Sequence, residues 1–185
     1  APTFNGLSSS TENGTYKVGD VIAINLAVSE SVIVDTTNGT PTLELETGST
    51  NRIATYLSGS GSSTLIFSYT VQEGDTATDL DYASISALAL NNGTIKDAGG
   101  NDATLTLPSP GAAGSLASNQ AFIIDTTAPT ITDPSGAAGA VTATTSIDEN
   151  TISIGTFTAN ETVTWSISGG DDDDDSAQFS IDSLT

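Results

Sequence analysis

The chain has 185 residues, 36% of them hydrophobic, which is enough for a core in one large domain or two small ones. Twenty-three Asp and Glu oppose only Lys17, Arg52 and Lys96, a net charge of −20 that repels nucleic acid and anionic membranes and makes neither an expected partner. Cys, His and Met are all absent, which excludes disulfides, thiolate or imidazole metal sites and His-dependent acid–base catalysis.

The abundance of Thr, Ser, Gly, Val and Ile suits strands and turns. In "DVIAINLAVSE", Ile22, Ile24, Leu26 and Val28 alternate with Ala23, Asn25, Ala27 and Ser29, the period of a half-buried strand over 20–30. A short strand is predicted at 32–35. "PTLELE" then places Leu43 and Leu45 on one face and Glu44 and Glu46 on the other. A strand at 52–57 leads to "TLIFSYTV", where Leu65, Phe67, Tyr69 and Val71 alternate with Ile66, Ser68 and Thr70. Further strands are expected at 84–90, 103–107 and 120–125. Turns are expected at Asn38-Gly39, at 59–61, at Asn92-Gly93 and at Gly99-Gly100. The stretch "PSPGAAGSLASNQ" reads as a long connection before the last strand. Many short strands without a helical period predict an all-β chain, an antiparallel sandwich over 1–127.

After Thr127 the pattern restarts. Ala-Pro-Thr opens the chain at Ala1, Pro2 and Thr3 and recurs at Ala128, Pro129 and Thr130, as if each copy began a module. "TISIGTFTA" and "TVTWSIS" read as strands, the second placing Val163, Trp165 and Ile167 on one face, and "AQFSID" follows the acidic run at 171–175. Residues 128–185 are few for a sandwich and are expected to be a truncated module, marginal alone and completed in the whole protein or by a strand from a neighbouring copy. No apolar run approaches the roughly 18 residues of a membrane span, and any secretion signal is expected outside these residues.

Asp, Asn and backbone oxygens are hard ligands that suit calcium. Three acidic loops fit this: "EGDTATDLDY", with Glu73, Asp75, Asp79 and Asp81; "KDAGGNDA", with Asp97, Asn101 and Asp102 around a Gly-Gly turn; and Asp20, which with Glu30 brackets one strand. Asp79 and Asp81 have the alternating spacing that lets two carboxylates face one ion. The competing reading of each loop is turn chemistry, in which Asp and Asn bond their own backbone. Asp125 ends a strand just before Pro129, which makes the linker short and semi-rigid; it is either a connector residue or a calcium ligand at the module junction.

"ENTISIGTF" (149–157) and "FSIDSLT" (179–185) resemble segments of cadherin repeats. That resemblance implies calcium-binding roles at the junction for Glu149 and Asp125, although Thr126 and Thr127 stand where the cadherin linker has further Asp and Asn. Asp20 or Asp79 would add to the 6–8 oxygens calcium requires. The segments "NGTYKVGDVIAINLAVSESVIV", "GTPTLELETG", "ATYLSGSGSSTLIFSYTVQEGDTATDLDYAS" and "NNGTIKDAGGNDATLTLPSPGAAGSL" resemble the immunoglobulin-like repeats of large bacterial surface and RTX-type adhesins. This resemblance implies secretion to the cell surface, tandem repetition and a structural or adhesive role, with neighbouring repeats, or other copies in a filament, as partners. "GGNDATLTL" lacks a Gly of the RTX calcium repeat and occurs once, so no β-roll is expected.

No enzyme is expected. Ser has no His to activate it, and neither a Gly-x-Ser-x-Gly elbow nor a phosphate loop is present. The rival to a spacer is a module that binds a surface glycan through Trp165, Tyr16, Tyr56, Tyr69 or Tyr82, residues whose alternating positions also suit a core; Tyr82 could instead form a tyrosine corner. Asn13, Asn38, Asn92 and Asn160 begin Asn-x-Thr sequons that read as turns.

Overall fold

Alternation in the sequence becomes alternation in burial. Ile22, Ile24 and Leu26 are wholly buried, whereas Ala23, Asn25 and Ala27 between them remain half-buried. The computed structural model describes residues 1–132 and 156–165, and the chain divides into two compact units, Ala1–Thr126 and Thr127–Thr185.

In the first unit the strands are β1 (Phe4–Ser9), β2 (Gly14–Tyr16), β3 (Val21–Asp35), β4 (Thr42–Glu46), β5 (Arg52–Ser58), β6 (Ser62–Thr70), β7 (Thr76–Ala77), β8 (Asp81–Tyr82), β9 (Leu88–Ala89), β10 (Thr94–Asp97) and β11 (Phe122–Asp125); one helical turn, α1 (Leu116–Asn119), precedes β11. The large sheet runs β1-β3-β6-β5-β4-β8, with β10 joined to β3 and β9 to β4; a small sheet runs β2-β11-β7. All pairings are antiparallel except that of β2 with β11. The fold is all-β, as the period-two pattern predicted. Among the described residues no helix is long and apolar enough to cross a membrane.

One core serves both sheets. Leu43 and Leu45, Leu65, Phe67 and Tyr69, and Phe122 and Ile124 all bury in one cluster with Ile22, Ile24, Leu26 and Val28 of β3, each such side chain contributing about 1.5–3 kcal/mol by leaving water. The small sheet's Phe122 also meets Tyr16 edge-on, with ring centres 5.6 Å apart.

Several expectations need correcting. The strands at 20–30 and 32–35 are a single long strand: β3 pairs with β6 along Val21 to Ala27, passes a register shift, and then takes β10 as partner from Val32 to Asp35. Glu30 therefore lies exposed inside β3, not at its far end from Asp20. Only Leu88–Ala89 of 84–90 forms a strand. Residues 103–107 form none, because their amides go to separate partners: Ala103 to the carbonyl of Ile95, Thr104 to that of Pro2 and Leu107 to that of Ile85. β1 escaped the period-two reading because Gly6 interrupts it. A Cβ there would sit 2.9 Å from the Gly114 carbonyl oxygen, so the chain gives up a side chain to let the 108–120 connection approach. That connection is as long as expected, with α1 capped by the Ser115 hydroxyl, which accepts from the Ser118 amide.

Of the second unit, the described residues form β12 (Ile131–Thr132) and β13 (Thr158–Ala159), an antiparallel pair. Phe157 and Trp165 meet at a tilt of 56° with ring centres 6.5 Å apart. The rest of "TISIGTFTA" and "TVTWSIS", the acidic run at 171–175, "AQFSID" and Glu149 lie outside the described residues.

Candidate functional site

At one end of the first unit the pairing of β11 with β7, Asp125 opposite Thr76 and Ile124 opposite Ala77, forms one wall of an open cleft of about 490 Å³. Glu46 at the end of β4, Gly48, Thr78, Asp79 and Ile123 complete the lining. Glu46 arrives there because β4 pairs with β8, which puts Glu46 opposite Asp81, and because the Thr76 amide donates to the Thr47 carbonyl at 3.1 Å. Glu46 and Asp79 are exposed and Asp125 is half-buried. The lining holds three carboxylates and neither Lys nor Arg, so its potential is negative. Among the described residues, no group of three acidic side chains is drawn together tightly enough to hold a metal ion; a cation here would take further oxygens from water, backbone or another segment.

The remaining acids of "EGDTATDLDY" serve the fold. Asp75 is fully buried. Its carboxylate accepts from Arg52 Nε at 2.6 Å, Tyr69 Oη at 2.7 Å and the Gln72 amide at 2.8 Å. Burial pushes its pKa up, but the Arg52 and Tyr69 hydrogen bonds and the Gln72 amide outweigh that and hold it below the ordinary carboxylate value. Burial and the same carboxylate push Tyr69 up. Glu73 is exposed, and its carbonyl accepts from Arg52 Nη2 at 3.3 Å.

Asp81 turns inward, away from the ion-facing arrangement its spacing with Asp79 suggested. Its carboxylate accepts from the amides of Tyr82 at 2.9 Å, Gly111 at 2.9 Å and Leu116 at 3.2 Å, pinning the 108–120 connection. Tyr82 Oη donates to the Pro108 carbonyl at 2.6 Å. Tyr82 therefore fastens a segment well downstream and does not form the local bond of a tyrosine corner. Burial, followed by the charge of Asp81, pushes its hydroxyl up to about 12.

"KDAGGNDA" closes on itself. Asp97 accepts from the Asn101 amide at 2.9 Å and from Asn101 Nδ2 at 2.8 Å, and these bonds lower its pKa. Asp102 pairs with Lys96 at 2.6 Å. Asp20 accepts from the Lys17 amide at 2.9 Å, as an Asp in a turn does. Of the ten residues singled out in the sequence, Asp79 and Asp125 share the cleft, seven stand elsewhere in the first unit, and Glu149 lies outside the described residues. Glu46 was missed: in "PTLELE" it is only the last residue of the wet face, and no local signal shows that β8 will place it beside β7.

No protein-family model matches this sequence, no curated protein matches it, and no solved structure matches its fold.

Proposed function

We propose that the chain is a structural spacer or adhesion repeat of a large extracellular bacterial surface protein or filament, stiffened by calcium where its modules meet. The observation that carries this reading is the cleft lined by the carboxylates of Glu46, Asp79 and Asp125 and by no basic side chain, because Asp125 is the last residue of β11 and the chain runs from it through Thr126 and Thr127 to Pro129. Carboxylates lining one cleft repel each other, and a divalent ion turns that repulsion into attraction. Calcium tolerates the wide, flexible coordination such a site offers, taking 6–8 oxygens at 2.3–2.6 Å, and Glu149 is the ligand proposed from the second unit. The mechanism is mechanical: ion binding limits hinge motion and no bond is made or broken.

The four tyrosines lend no weight to the glycan-binding alternative. Tyr69 and Tyr82 are buried, Tyr16 packs on Phe122, and Tyr56 meets Phe67 edge-on at 5.9 Å. Small-angle scattering of the whole chain with and without calcium tests the proposal. The expected result is a narrower distribution of interdomain distances with calcium, an effect lost in Asp125→Asn. An unchanged curve, together with binding on a glycan array, would favour the alternative.

A further inference from the structure

Thr126 is the last residue of the first unit, and its hydroxyl is used twice. Oγ1 accepts from the Gly74 amide at 3.2 Å and donates to the Asp75 carbonyl at 2.8 Å, so one side chain spans the 73–75 turn. That turn is fixed from its other side by the fully buried Asp75 carboxylate, which is bonded to Arg52 on β5 and Tyr69 on β6. Arg52 Nη2 also holds the Glu73 carbonyl. The turn thus joins the small sheet, where β11 ends, to the middle of the large one.

The backbone pairing explains why such a contact matters. β11 runs parallel to β2 on one edge, Phe122 to Ile124 against Gly14 to Tyr16, and antiparallel to β7 on the other through only Ile124 and Asp125. The ladder stops at Asp125. Tension on the chain beyond this point would otherwise fall first on the short β7 pairing, which opens one pair at a time from its exposed end.

We propose that Thr126 is a mechanical anchor, which fixes where the chain leaves the first unit and passes tension on the linker through the 73–75 turn into the Arg52–Asp75–Tyr69 network of the large sheet. The anchor needs a hydroxyl, because only a group that both accepts and donates spans Gly74 and Asp75. Its purpose rests on the spacer reading above, but the anchor contains no metal and acts without calcium.

The test is single-molecule force spectroscopy of the full chain pulled by its ends in chelator, following the step contributed by residues 1–126. Forced unfolding reports the unfolding rate. Losing a hydroxyl worth about one ordinary hydrogen bond, Thr126→Val should raise that rate about fivefold at fixed force, and Thr126→Ser, which keeps both bonds, should stay within about twofold of wild type. Amide exchange supplies a second readout, since Gly74 loses its acceptor in Thr126→Val and should exchange about tenfold faster. A valine variant with the wild-type rate, a serine variant as weak as the valine one, or unchanged Gly74 exchange would each overturn the anchor. Because all of this is read without calcium, failure here leaves calcium stiffening standing, and failure of calcium stiffening leaves the anchor standing.

Discussion

Asp75 and Asp79 belong to one short segment and meet opposite surroundings. Asp75 is sealed beneath the surface with a guanidinium, a phenol and an amide on its carboxylate. Asp79 is exposed in a cleft shared with Glu46 and Asp125 that holds no basic side chain. A chain with three basic side chains and twenty-three acidic ones cannot neutralise its acids in pairs. Arg52 is committed to Asp75, the one fully buried acid among the described residues, where an unmatched charge costs most, and the cleft lined by Glu46, Asp79 and Asp125 has no Lys or Arg in its lining. Position in the fold, more than residue type, separates acids that are bonded into the module from acids that line its open cleft.

Substitutions should separate the two places, most of all at the buried one. Asp75→Ala strands the Arg52 guanidinium and the Tyr69 hydroxyl, and should cost about 3 kcal/mol in urea unfolding of the first unit, at the lower end for a broken buried pair because Arg52 keeps some exposure. In calcium-free buffer Asp79→Ala should change stability by no more than about 0.5 kcal/mol. Similar costs for the two would erase the distinction.

Next comes Asp81, which resembles Asp75 in burial but is matched by amides alone. Asp81→Ala removes a charged acceptor from three N–H donors and should cost about 2 kcal/mol. Amide exchange should rise at Gly111 and Leu116 while the large sheet stays protected.

Acid should sharpen the comparison further. Asp75 has a folded-state pKa below its unfolded one, so its contribution to stability is complete above about pH 4 and fades as pH falls through the lower, folded value. Urea unfolding measured between about pH 2 and pH 5 should show stability falling toward acid. In Asp75→Asn that slope should be shallower; an equal slope in both proteins would place the acid-sensitive group elsewhere. The smallest effect belongs to Lys96→Ala. Its partner Asp102 is 72% exposed, and the thermal midpoint should report no more than about 0.5 kcal/mol.

The sequence showed the strands wherever burial on one face imposed a period of two, as in β3, β4 and β6. It failed where the backbone answers to a distant partner. β1 is interrupted at Gly6, whose missing side chain makes sense only against Gly114. β2 is a parallel partner of β11, and the turn residue Gly39 is set by Asn91, whose carbonyl oxygen would lie 1.6 Å from an added Cβ. The acids were visible as candidates and not as roles. Asp79 and Asp81 share a spacing that fits one ion, yet Asp81 is turned inward by the amides of a connection some thirty residues on. Glu46 joins the cleft through strand pairing, which no short window of sequence contains.

The central proposal is that calcium bridges the cleft acids, whereas Asp75 is already satisfied within the fold. The most direct test is equilibrium unfolding of the full chain in urea with and without calcium, comparing wild type with the Asp79→Asn/Asp125→Asn double variant. At free calcium about one hundred times the dissociation constant the wild type should gain about 2.7 kcal/mol over its own value in chelator, and the double variant should lose most of that gain relative to its own value in chelator. An equal calcium response in both proteins, or none in wild type at about 10 mM calcium, above the range of extracellular modules, would contradict the account.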